Sequence, residues 1–306
     1  MNDHPDIGSH AAAVIERGYT IIPAQVDAEQ IAALGAAADR ALDKVSRLMA
    51  AGVQPAHTQI NAHVRSARCF YTWDASSRRL LGHPTVHALG QAVLNQPRLW
   101  EMTVLEALPM PQGAELGPFD WHRDFSAMAA DGLQQAYLWI FTCLTDVTAE
   151  NGATWVVPGS HRNAELRPPD SNAESAPAVA VQLTARAGDI IAINPAMLHR
   201  VGENRTATGR RLALVGLCRS DRRPLLNHWS IAGADMRRGL PDPVRALLHT
   251  TDRTLDRTWD ALPDGWAVPP TVRIERGLRR VIRAGTAVLN DPRRVWRRLA
   301  GNVDSP

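Results

Sequence analysis

The chain has 306 residues, 45% of them hydrophobic and 21% charged, a size and balance that support one large buried core and exclude a disordered or coiled-coil architecture. Its net charge of +3 is uneven: nine arginines against Glu275, Asp291 and Asp304 give Thr271 to Pro306 a local +6, leaving −3 for residues 1 to 270, so no nucleic-acid role is expected. Cys69, Cys143 and Cys218 are odd in number and far apart, which argues against a disulfide framework or a cysteine zinc site.

The polar start, Met1 to His10 with Asp3 and Asp6, lacks the basic and apolar parts of a secretory signal. No run reaches the roughly 20 apolar residues that span a bilayer, so no membrane span and a cytoplasmic location are expected. Gly18 to Pro23 reads as a short strand. Asp27, with Gln30 three residues on, makes an N-cap with a capping-box partner for a helix from about Ala28 to Ala51. Ile31, Leu34, Ala38, Ala41, Leu42, Val45 and Leu48 recur there at three and four, the period of a one-sided helix. A segment with Asn61 and His63 follows, then a second helical stretch around Pro84 to Leu94.

From Leu99 the texture changes. Runs such as LWEMTVLEAL, QAYLWIFTCL, TWVVP, AVAVQLTA, DIIAIN and RRLALVGL are separated by Pro, Gly, Asn and Asp clusters, which suits an antiparallel sandwich or barrel. Arg167 to Pro177, rich in Pro, Ser and Asn, reads as a surface insertion. The expected division is a domain over residues 1–270 and a basic helical tail over 271–306. In the tail, Arg273, Arg276, Arg280 and Arg283 form one stripe at helical spacing. Such a stripe is a solvated face or a docking surface for a carrier protein or another anionic partner.

Chemistry concentrates in FDWHRDF, where His122 and Asp124 flank Arg123. On a strand, residues two apart share a face, so imidazole and carboxylate project together while Arg123 points away. Chance alone supplies roughly one H-x-D in a chain of this composition, and His4 with Asp6 forms another, at a polar terminus that cannot hold ligands rigidly. The first pair has company: His199 follows 75 residues after Asp124, just past a predicted strand. Two histidines and one carboxylate leave a face of an octahedral iron open, the donor set of non-haem Fe(II) oxygenases. Arg210, eleven residues beyond His199, opens the RRLALVGL strand. A buried guanidinium there can grip the distal carboxylate of 2-oxoglutarate with two parallel hydrogen bonds. Alternation sends Arg211 to the opposite face.

These residues, with GYTIIPAQVDAEQIAAL before them and TDVTAENGATWVVPGSHR and LHRVGENRTATGRR around them, resemble the phytanoyl-CoA dioxygenase family of Fe(II)/2-oxoglutarate-dependent oxygenases over about residues 15 to 220. The resemblance implies a mainly β double-stranded β-helix, or jelly roll, with N-terminal helices. It implies Fe(II) held by His122, Asp124 and His199, 2-oxoglutarate anchored by Arg210, and O2 as the third reactant. It further implies an aromatic contact to 2-oxoglutarate at Phe141, substrate or cosubstrate contacts at Asn61 and His63, which read equally as a surface loop, and structural turns at Asn151-Gly152 and Pro158 to His161. Two residues after the distal histidine, where the family often has a small polar residue, this chain has Val201. Trp121, Phe125 and Trp139 are placed to line a pocket or to fill the core, with Trp139 the candidate substrate contact.

The expected activity is oxidation, by default hydroxylation, of an unactivated C–H in a small molecule. An arginine-rich chain with Lys44 as its single lysine points to a GC-rich source and is compatible with tailoring of a bacterial secondary metabolite. Halogenation is disfavoured, because Asp124 occupies the position a halide would need. Two alternatives stay open: a non-catalytic jelly-roll protein that binds a metal or small ligand, and a cupin-type iron dioxygenase without 2-oxoglutarate. A buried arginine clamp argues against the first, and a carboxylate in place of a third histidine argues against the second.

Overall fold

The computed structural model describes residues 5–51, 63–110, 121–124, 136–163, 165–166, 178–222, 224 and 226–248. Asn61, Phe125, the 167–177 insertion and the basic tail lie outside the described residues.

The polar N-terminal end carries a helix. Asp6 caps α1 (Ile7–Arg17), its carboxylate accepting the Ser9 N–H. Gly18 ends it in the left-handed region at φ 93°, where a Cβ would lie 2.6 Å from Met197 Sδ and 2.8 Å from His161 Nδ1, so only glycine fits. β1 (Tyr19–Ile22) follows, then α2 (Ala28–Ala50), whose Asp27 cap accepts the Gln30 N–H at 2.7 Å. Such a cap contributes about 1 kcal/mol. The face carrying Leu34, Ala38, Ala41, Leu42 and Val45 is buried, as its period predicts.

β2 (Val64–Arg68), a short 3-10 turn at Phe70–Thr72, α3 (Ala75–Leu81) and α4 (Pro84–Leu94) lead into β3 (Pro97–Ala107). Then come β4 (Tyr137–Cys143), β5 (Trp155–Val156), β6 (Val181–Gln182), β7 (Ile190–Ile193), β8 (His199–Arg200) and β9 (Arg210–Arg219). Helices α5 (His228–Arg238) and α6 (Asp242–Leu248) follow.

The strands form two antiparallel sheets, a six-stranded one ordered β1-β7-β4-β9-β3-β2 and a three-stranded one ordered β6-β5-β8. Together they make the expected jelly roll. Both faces of the large sheet are covered, which is why its strands read as nearly unbroken apolar runs. Leu138, Ile140, Val104, Ala213 and Val215 pack with the helices in one core. Trp139, Phe141, Cys143, Leu212 and Leu214 face the other way, clustering with Val156 and Leu183 of the small-sheet side.

The pairing of β3 with β9 slips once. Leu99 faces Leu217 but Glu101 faces Gly216, so Trp100 is an extra residue. Leu99 and Met102 consequently point to the helices, whereas both Trp100 and Glu101 lie on the side between the sheets. A bulge of this kind re-aims side chains where simple alternation could not. Among the described residues, no helix is long and apolar enough to cross a membrane.

Candidate functional site

His122 lies in an extended piece that forms an isolated antiparallel bridge with His199. The two residues exchange both backbone hydrogen bonds, each 3.0 Å, which sets their rings 4.4 Å apart. The Asp124 N–H donates to the Pro195 carbonyl at 3.0 Å. One short run is thereby stitched to the turn before β8, and the three side chains converge. His122 Nε2 is 3.6 Å from Asp124 Oδ1, and His199 Nε2 is 3.9 Å from Asp124 Oδ2. One donor atom from each residue lies within 4.8 Å of the other two. Donors about 2.1 Å from a shared cation at right angles stand roughly 3 Å apart, so a small closure completes the set. Two imidazoles and a carboxylate at this separation could hold a divalent transition metal.

The protonation states suit that task. His199 Nδ1 lies 2.8 Å from the Met197 carbonyl, to which it can only donate, so Nε2 presents its lone pair to the centre. Burial lowers the His199 pKa and keeps the ring neutral, with Asp124 opposing. Burial pulls the Asp124 carboxyl upward, but hydrogen bonding to His122, the His199 ring and the Trp139 N–H outweigh it and hold the group below the usual carboxylate range.

Arg123, expected to point away, does so with a purpose. Its Nη1 donates to the carbonyls of Ser160 and Ala196, and its Nη2 to those of Asn163 and Leu166. One guanidinium therefore ties the His122–Asp124 segment to the Ser160–Leu166 turn and to the approach to His199. In that turn, Ser160 Oγ accepts the Leu198 N–H at 2.8 Å and the buried His161 bonds the Ile15 carbonyl at 3.0 Å. At Asn151 the side chain accepts the Thr148 N–H at 2.8 Å. These groups build turns, as the resemblance implied.

The triad opens onto a cavity of about 390 Å³ between the sheets, lined also by Arg210, Phe141, Trp139 and Val201. Arg210 is 1% exposed, and among the described residues its Nε and Nη1 have no hydrogen-bond partner. Burial pulls its pKa down to about 10, with the Cys143 thiol the opposing influence. An unpaired buried guanidinium is costly unless an anion joins it. Arg211, one residue on, faces outward and donates from Nε to Glu106 Oε1 at 2.8 Å and pairs with Asp39 at 2.6 Å.

Of the predicted site residues, His122, Asp124, His199, Arg210, Phe141 and Trp139 share this one cavity. His63 is half-buried just before β2 and is not among the residues lining it. Trp121 packs with Val157 and Leu198 in a separate cluster, a core role. Sequence reasoning missed Arg68, Glu101 and Thr103 on the wall opposite the small sheet. Arg68 Nη1 donates to Glu101 Oε2 at 2.8 Å. Burial raises the Glu101 pKa to about 7, with Arg68 lowering it and Asp124 raising it. The signal available was the spacing of Glu101, Thr103 and Leu105 at alternate positions.

Residues 15–212 match the Phytanoyl-CoA dioxygenase (PhyH) family. Among curated proteins, the chain is similar to Dioxygenase trt7 of Aspergillus terreus, 29% identical over 161 residues that cover 50% of this chain and 53% of that protein. It is also similar to Dioxygenase easH of Epichloe festucae var. lolii, 37% identical over 99 residues, 31% of this chain and 51% of that one. The chain thus spans about half the length of these relatives. In fold it is similar to the non-heme alpha ketoglutarate dependent carbocyclase SnoK from nogalamycin biosynthesis, at TM-score 0.55 and 20% identity over 71% of this chain and 85% of that one. The family match takes in the histidine-aspartate pair, the distal histidine and Arg210 in their order along well over half of the sequence, and on that ground the chain belongs to the phytanoyl-CoA dioxygenase family.

Proposed function

We propose that this chain is an Fe(II)- and 2-oxoglutarate-dependent oxygenase that oxidises an unactivated C–H of a small molecule, with hydroxylation as the default outcome. The observation that carries the reading is the shared cavity: two imidazoles and a carboxylate at ligand spacing, facing the same space as a buried guanidinium with two unpartnered nitrogens. His122, Asp124 and His199 would hold the iron, and Arg210 the distal carboxylate of 2-oxoglutarate, with Phe141 against its carbon chain. When bound, the iron couples the oxidative decarboxylation of 2-oxoglutarate by O2, which yields succinate and CO2, to oxidation of the substrate.

The chain's own part is positional. The Met197 carbonyl locks the His199 tautomer, and Arg123 braces the two ligand-bearing segments. Leu105, Leu212 and Leu214 give the cavity wall an apolar part. A small-molecule substrate is in keeping with the cavity and with the relatives, which are named dioxygenases. A purely binding role is disfavoured, since a metal site alone gives Arg210 no counter-charge.

The test is succinate formation by purified chain loaded anaerobically with Fe(II) and then given 2-oxoglutarate and O2. Turnover is expected for the wild type and is expected to vanish in His122→Ala, Asp124→Ala and His199→Ala, each melting close to wild type because the ligands sit at an open site outside the core. Near-normal turnover by Asp124→Ala without added halide or carboxylate would overturn the assignment.

A further inference from the structure

The Asp124 carboxylate has a partner that a sequence motif does not reveal. Trp139 Nε1 donates to Asp124 Oδ2 at 2.8 Å from a strand fifteen residues further along. Oδ1 lies 3.6 Å from His122 Nε2 and Oδ2 lies 3.9 Å from His199 Nε2, so this bond fixes the carboxylate plane between the two imidazoles. A carboxylate on a short extended piece otherwise rotates about its own bonds, and hydrogen bonds from outside the ligand set are what hold such a group in one orientation.

The indole is itself immobilised from three directions. Gly216 is its cross-strand partner on β9, and a Cβ there would come within 2.7 Å of Trp139 Cζ3 and 2.8 Å of Trp100 Cε3. The absent side chain is therefore the space the ring occupies. Trp100, turned to this side by the β3 bulge, packs on it at 4.6 Å between centroids. Phe141, two residues along the same strand, flanks it at 6.2 Å. Trp139 is 9% exposed, so its N–H would be a buried unsatisfied donor without Asp124.

We propose that Trp139 is a positioning residue that orients the carboxylate arm of the metal site through its indole N–H, an inference that rests on the metal reading of the triad. The alternative is that Trp139 only fills the cavity wall. The two differ in what happens when the N–H alone is removed. Replacing Trp139 with β-(3-benzothienyl)alanine keeps the bicyclic shape and substitutes sulfur for N–H, while Trp139→Phe removes the donor and part of the ring.

The measurement is Co(II) affinity, followed anaerobically by the visible absorption of the bound ion, with a thermal melt on each variant. The benzothienyl variant is expected to melt like wild type and to bind Co(II) at least tenfold more weakly, within the 10- to 100-fold range typical of such partners. Any smaller loss overturns the positioning role. Should Trp139→Phe fail to fold, the benzothienyl variant decides alone. The His122→Ala variant separates the two levels: if wild type and His122→Ala take up Co(II) equally, the metal site itself is wrong and this inference falls with it. If His122→Ala loses Co(II) and the benzothienyl variant does not, only the role of Trp139 is refuted.

Discussion

On β9, Arg210 and Arg211 carry the same charge one residue apart, yet the protein treats them in opposite ways. Arg211 lies on the outer face in a network with Glu106 and Asp39, to which Arg65 adds a second bond to Glu106. Arg210 is almost completely buried on the inner face with two nitrogens unpartnered. The first arrangement is scaffold: each charge has its counter-charge within the chain. The second fits a partner from outside, and under the proposed function the triad that opens onto the same cavity gives that partner its chemistry.

The largest effect that can break this contrast is on cosubstrate use. Arg210→Lys should raise the KM for 2-oxoglutarate by about 30-fold or more, because a point-charge ammonium loses the two-pronged grip and truncating one side of a buried charged pair costs about 2 to 5 kcal/mol. Arg211→Lys should leave that KM nearly unchanged. Initial rates across a 2-oxoglutarate series measure both, and the reverse ranking would transfer the role to Arg211.

A second effect concerns folding and should run with opposite signs. Arg210→Leu removes a buried charge that has no internal partner and should raise stability, within the ~1–4 kcal/mol found when buried ionic groups give way to apolar ones. Arg211→Leu leaves Glu106, whose carboxyl burial pulls up and Arg65 and Arg211 together hold below its usual range, with Arg65 alone, and should cost about 1 to 3 kcal/mol. Denaturant melts of the two variants check the signs. Destabilisation by both would mean that Arg210 has an internal partner after all.

The smallest effect sharpens the comparison with an ionisable group satisfied without charge. His228 sits fully buried between the Tyr71 hydroxyl at 3.0 Å and the Trp100 carbonyl at 2.8 Å. The carbonyl can only accept, so Nε2 donates and Nδ1 takes the tyrosine proton, which requires a neutral ring. Burial pulls the His228 pKa down to about 4, with the hydrogen bond to Trp100 opposing. The unfolded chain therefore binds the proton first as pH falls. This contribution is complete above the ordinary histidine value near 6.5 and is lost towards pH 4, about 2 kcal/mol by pH 5. His228→Gln should flatten the stability curve between pH 7 and 5, and an unchanged slope would refute the burial account.

Much of this was legible in the linear sequence because the rules involved act over a few residues. The Asp27 cap, the period of α2 and the strand identities from Leu99 onward follow from spacing alone, and period-two alternation correctly sent Arg210 inward and Arg211 outward. The ordered set His122, Asp124, His199 and Arg210 marks residues that share one cavity. The tertiary structure decided what depends on neighbours far along the chain. The extra residue at Trp100 can be recognised only against β9, and it is what places Trp100 and Glu101 on the same side. α1 begins in what the composition presents as a polar end, since its stability comes from Asp6 and from burying Ala11 and Val14 against the rest of the fold. Arg123 finds its four carbonyls 37 to 73 residues away, and Trp139 meets Asp124 only because β4, an interior strand of the large sheet, turns its cavity face towards the short piece that carries the carboxylate. Local propensity reaches about one turn or one strand pair, whereas these contacts exist only once packing has closed the space between the sheets.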